Sequence, residues 1–120
     1  MWNTPSKKLL KKIPRLYETE NVELCEKLIY LHFFLAGSDW FIAEYDGKNT
    51  FFGFVCLNSF KEFAEWGYIS FKELKKLRIV VPLQLSEVPK VIWLEVECDK
   101  FWKAKKAKDV PLIQSYQSCR

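Results

Sequence analysis

The chain has 120 residues, 49% of them hydrophobic, with five Trp, five Tyr and ten Phe, and a formal net charge of +4. That length and apolar content predict one globular domain over residues 1–120 with a single aromatic core, and exclude a disordered or low-complexity chain. No apolar run of about 18 residues is present, and "MWNTPSKKLLKKIPR" lacks the apolar stretch of a secretion signal, so no membrane partner and a cytoplasmic location are expected.

The charge is segmented. Residues 1–15 carry five basic side chains, including Lys7, Lys8, Lys11 and Lys12, and no acid. Residues 16–99 carry 8 basic against 14 acidic side chains, and residues 100–120 carry 6 basic ones, among them Lys103, Lys105, Lys106 and Lys108, against Asp109. The expectation is an acidic sheet body between a basic N-terminal helix and a basic C-terminal tail, with disorder beyond Asp109.

In chain order, Thr4-Pro5 before "SKKLLKKI" predicts a short helix over about residues 5–12, capped by Thr4 and stopped by Pro14. The acidic connector "YETENVELCE" leads into "KLIYLHFFL", which reads as a strand over 27–35 buried on both faces. Gly37-Ser38-Asp39 is a turn, and strands over 40–45 and 50–57 flank "DGKN", whose Asp-Gly pair is a hairpin signal. A strand over 64–69 ends at Ser70, which has the capping-box spacing to Glu73 and opens a helix, Phe71–Arg78, with an apolar stripe of Phe71, Leu74 and Leu77. Pro82 and Pro89 bracket an irregular stretch with room for one helical turn, and "VIWLEVEC" supplies a last strand over 91–98. The predicted fold class is α+β: one antiparallel sheet, a meander of about five strands, with one or two helices packed on a single face.

Four segments, "IPRLYETE", "FIAEYDGKNTFFGFV", "AEWGYISFKEL" and "VECDKFW", resemble in the same order a family of small bacterial proteins catalogued as a domain of unknown function, number twenty-nine fifty-eight. The resemblance covers most of residues 9–103 and implies a setting in plasmids, phages and conjugative elements, with no established activity. It carries over to Tyr17, Glu18, Glu44, Tyr45, Asp46, Phe52, Gly53, Gly67, Tyr68, Glu73, Leu74 and Asp99. Where the family commonly has Arg-Asp, this chain has Cys98-Asp99.

The carboxylates Glu44, Asp46, Glu65, Glu95, Glu97 and Asp99 would have to converge on one ion to support a metal-dependent hydrolase. Asp46 has its own reason to sit in a turn, where its side chain bonds the loop backbone, and no metal is expected. His32 reads as a structural histidine within a strand. Cys25, Cys56, Cys98 and Cys119 lack metal-ligand spacing and read as reduced thiols. No glycine-rich phosphate loop occurs, and no small-molecule cofactor is expected. Phe52 and Phe54 are expected in the core rather than stacked on bases, and Gly53 and Gly67 each under a large ring.

Two classes of binding remain, with a hydrolase as a distant third. The preferred one is a non-enzymatic protein of a mobile element that occupies a basic groove of a host protein or nucleoprotein complex, as an anti-CRISPR or anti-restriction inhibitor would. Its contacts are an acidic surface of Glu44, Asp46 and Glu65 with aromatic anchors. The alternative is a nucleic-acid-binding accessory using the lysines of both ends.

Overall fold

The computed structural model describes residues 4–83 and 90–116. Helix α1 (Lys7–Lys12) is capped by Ser6, not Thr4: the Ser6 hydroxyl accepts from the Leu9 N–H at 3.1 Å. Pro5 is buried just ahead of the cap, and Pro14 follows the last turn. A connector with a 3-10 turn at Leu24–Glu26 leads to β1 (Leu28–Ile29), β2 (Leu31–Leu35), β3 (Ser38–Tyr45), β4 (Thr50–Cys56) and β5 (Glu65–Ser70). Then follow α2 (Phe71–Lys76), β6 (Arg78–Leu83), β7 (Lys90–Glu95), β8 (Glu97–Cys98), β9 (Lys105–Lys106) and α3 (Pro111–Tyr116).

The fold is α+β. Its main sheet is antiparallel with the order β5-β4-β3-β2-β8, and β2 to β5 form the meander expected from the turn residues. The predicted strand over 27–35 is extended but divided at Tyr30, because β1 pairs with β9 and β2 with β3 and β8. The predicted last strand is divided too. Its first part, β7, leaves the main sheet and pairs with β6 from Arg78↔Glu95 to Leu83↔Lys90, so the branched residues of "RIVV" face those of "VIWL". Val96, fully buried, separates β7 from β8. This demand for β6 ends α2 two residues early and leaves Leu77 40% exposed, off the predicted stripe. Of the supposedly irregular stretch, Pro82 and Leu83 belong to β6, and residues 84–89 lie outside the described residues.

Two hydrophobic clusters replace the expected single core, one on each face of the sheet. On the first face, Phe33, Ile42, Phe51 and Ile69 pack beneath Ile13 at the end of α1 and Phe71 and Leu74 of α2. On the second, Phe41, Ala43, Phe54 and Cys56 pack beneath Ala107, Val110 and Ile113. From Pro111 to Tyr116, where disorder was expected, the chain is instead helical and anchored by a fully buried Ile113, and residues 117–120 lie outside the described residues. Helical cover lies on both faces, not one.

Candidate functional site

Strict alternation along β3 would put Trp40, Ile42 and Glu44 on the same face. A bulge between Ile42 and Glu44 breaks that alternation: Ile42 pairs with Gly53, yet Glu44 already pairs with Phe52. The extra residue, Ala43, carries Glu44 to the second face and returns Tyr45 to the first core. Gly53 permits this. A Cβ there would stand 1.9 Å from the Phe41 carbonyl oxygen, so the glycine answers a close backbone approach and not an overlying ring. At Gly67 a Cβ would meet nothing within 4 Å, so the ring expected over it is absent as well.

Placed by the bulge, Glu44 is 4% exposed. It is therefore not part of an acidic surface; it anchors the connector. Tyr17 adopts a left-handed backbone (φ 71°), which turns the Tyr17 and Thr19 N–H groups onto the Glu44 carboxylate at 2.9 and 3.3 Å. The Thr19 hydroxyl donates to the same carboxylate and accepts from Lys27 Nζ at 2.7 Å. Lys27, also buried, completes an ion pair with Glu44 at 3.6 Å. Each polar group removed from water here has a partner, which makes the network a rigid floor.

Above that floor lies a cleft of about 380 Å³ walled by Tyr17, Phe52, Tyr68 and Leu24 and rimmed by Glu20 and Glu23. Phe52 sits beside Tyr68, ring centroids 5.5 Å apart, and stacks on Trp66 at 5.8 Å. The Tyr68 hydroxyl donates to the Tyr17 hydroxyl at 3.2 Å, joining two rings that are 59% and 62% exposed. That hydrogen bond, then desolvation and the charges of Tyr17 and Glu44, raise the Tyr68 phenol above its ordinary value. The cleft is lined by phenolic, acidic and aromatic side chains. Such a lining suits the positive end of a long side chain, held by ring faces and rim carboxylates together.

The structure brings Tyr17, Glu44, Phe52 and Tyr68 together from four separate places in the sequence. The remaining positions singled out by sequence lie elsewhere. Asp46 orders the hairpin, its Oδ1 accepting from the N–H groups of Lys48, Asn49 and Thr50 at 2.7, 2.8 and 3.0 Å. Asn49 of that loop also bonds the Ser70 hydroxyl and the Lys72 N–H at the start of α2. Glu65 is exposed on β5, Glu18 is exposed in the connector turn, and the Tyr45 ring packs 4.6 Å from Phe51. Glu20, Glu23 and Lys27 of the cleft escaped the sequence reading. Their signal was the acidic connector itself, which had no assigned partner.

At the opposite end of the second face, His32 stacks on Phe41 at 4.5 Å and stands between two carboxylates, 2.7 Å from Asp39 and 3.4 Å from Asp99. Among the described residues, no three His, Cys, Asp or Glu side chains are grouped to hold a metal ion. Cys56 and Cys98 are buried, and desolvation with the charge of Asp99 pushes the Cys98 thiol up to about 11. Cys25, in contrast, is disulfide-bonded, which corrects its reading as a reduced thiol. Lys106 and Lys108 both pair with Glu26 at 2.9 Å, and Lys105 lies over the Trp102 ring. Lys103 is exposed, as are Lys7, Lys8, Lys11 and Lys12 of α1. No helix among the described residues is long and apolar enough to cross a membrane.

No protein-family model matches this chain, no curated protein matches it, and no solved structure matches it.

Proposed function

We propose that this chain is a non-enzymatic binding protein that holds a basic segment of a protein partner in the cleft between Tyr17, Phe52 and Tyr68. The observation that carries the reading is two exposed tyrosines and a phenylalanine, set on a fully bonded floor and rimmed by Glu20 and Glu23. Aromatic anchors with a charged rim combine desolvated contact area with selectivity for one sign of charge. The acidic contact set is thus moved from Glu44, Asp46 and Glu65 to Glu20 and Glu23. Following the resemblance in the sequence, the proposed setting is a mobile element, and the proposed partner is the basic groove of a host defence nucleoprotein complex.

The test is a pull-down from a bacterial lysate with and without nuclease treatment, comparing the native chain with Tyr68→Ala and with the pair Glu20→Gln, Glu23→Gln. Retention of a protein partner after nuclease, weakened by about tenfold in each variant, is the expected result, since a cation over a ring contributes roughly 1–2 kcal/mol when desolvated. Equal recovery by all three proteins would refute the reading.

A second reading, nucleic-acid binding by the basic ends, has its own observation. Thr4, Pro5, Ser6 and Leu9 share a cleft with Lys100 and Trp102, so the two basic ends of the chain are neighbours. Because Lys106 and Lys108 are occupied by Glu26, the lysines to replace are Lys7, Lys8, Lys100 and Lys103. On this reading, their change to Gln lowers the slope of log affinity against log salt by roughly one for each phosphate no longer neutralised.

A further inference from the structure

We infer that the partner of this cleft binds as an extended strand added to the outer edge of β5, with alternate side chains entering two clefts on opposite faces of the sheet. This rests on the reading of the Tyr17–Tyr68 cleft given above and adds the conformation and pattern of the bound segment. β5 is the terminal strand of the main sheet, and no strand among the described residues pairs with its outer side. Sheet edges are ordinarily blunted by lysine, proline or a bulge. The β5 sequence "EWGYIS" has no lysine or proline, and its six pairs with β4 run without a bulge.

Two clefts flank this edge. On the second face is the acidic aromatic cleft, to which β5 contributes Tyr68. On the first face is an apolar cleft of about 230 Å³ lined by Trp40, Val55, Leu57, Ile69, Leu74 and Leu77, with Glu73 at its side and Tyr68, at the strand edge, bordering both clefts. The directly paired Gly53 and Gly67 leave the first face without side chains at that step of the two strands. An added strand alternates its side chains between the faces, so a cationic residue reaches Tyr68 while its neighbour, apolar, enters beside Ile69. Charge complementarity selects the occupant: Glu20 and Glu23 on one side, and Glu65 and Glu73 on the other, favour a basic extended peptide over an acidic one.

The test titrates the full chain with a blocked peptide alternating lysine and valine, its one-residue-shifted version, a glutamate-for-lysine version, and a version with backbone N-methyl groups on one edge. Affinity is followed by calorimetry, and amide exchange is followed across β5. Expected are slowed exchange of β5 amides, loss of binding on N-methylation of the pairing edge, and loss with the glutamate peptide. Leu77→Ala and Tyr68→Ala each weaken binding, by about tenfold for an anchor in a cleft. Equal binding of methylated and parent peptides, or no binding by either lysine–valine register, overturns the strand addition. In parallel, n-butylguanidinium is titrated alone and followed by the ring signals of Tyr17 and Tyr68. If it shifts those signals while the peptides fail, the cleft reading stands and only the strand addition falls. If it shifts nothing, the cleft reading falls with it.

Discussion

Glu44 and Lys27 are each 5% exposed at their side chains and lie 3.6 Å apart, so either one left alone would be a charge in a medium that solvates it poorly. Glu44→Ala is therefore expected to cost about 3–5 kcal/mol in urea denaturation, the cost of breaking a buried pair. The double change Glu44→Leu, Lys27→Met should recover only the part due to the stranded Lys27 charge, because the Tyr17 and Thr19 N–H groups still lose their acceptor. Asp46 behaves otherwise because it lies in a surface turn and is only half-buried. Desolvation pushes its carboxyl up, but the N–H groups of Lys48, Thr50 and Asn49 pull it further down, below the ordinary value of 3.8. A carboxyl depressed on folding contributes stability that is complete above its unfolded pKa and lost as pH falls through the folded one. Stability of the native chain relative to Asp46→Asn should therefore decline as pH falls below about 4, and a pH-independent difference would contradict the turn role. Cys25 should resist alkylation in the folded chain until a reductant is added, as peptide mapping would reveal. The Asp46 turn was legible because an Asx turn is local. The Glu44 anchor was not, since its partners lie 25 and 27 residues away and local pattern carries no sign of them.

At the scale of elements, the strands whose alternation is bounded by turn residues were legible, and so was the Ser70 cap, whose hydroxyl accepts from the Glu73 N–H at 3.2 Å. What sequence periodicity misassigned follows one rule: the partner of a strand is a non-local choice. "RIVV" continues a helical pattern until "VIWL" is beside it, and β7 and β8 read as one strand until Val96 is seen to turn between two sheets. The bulge in β3 is of the same kind, and the two glycines test it. Gly53→Ala forces a methyl to within 1.9 Å of the Phe41 oxygen and should cost roughly 1–3 kcal/mol or displace the bulge, taking Glu44 out of the floor. Gly67→Ala meets open space at an ordinary backbone angle and should stabilise by about 0.4–1 kcal/mol through the unfolded chain. Equal effects at the two sites in thermal melts would show that the close approach at Gly53 is not what requires glycine there.

For the whole molecule, the charge map suggested a body between a basic N-terminal helix and a loose basic C-terminal tail, but both ends pack into the cores. α1 closes the first core through Ile13, and the C-terminal segment closes the second through Ala107, Val110 and Ile113, with Glu26 tying down Lys106 and Lys108. Composition obscured this because the lysines of "KFWKAKKAK" dominate the segment, and a helix of six residues gives little periodic signal. The two cores share β3 and β4, whose alternate residues point into one and then the other, so loss of either should release both. Ile113→Ala is the sharpest probe. Ile113 is fully buried, and its truncation should cost about 2–5 kcal/mol by lost burial and a residual cavity. If the shared strands couple the faces, global amide-exchange protection should fall by the same amount at Phe33 and Phe51 of the first core as at Phe41 and Phe54 of the second. Protection lost only at Phe41 and Phe54 would mean that the C-terminal segment opens as an independent unit. No loss anywhere would mean that the tail does not hold the second face at all.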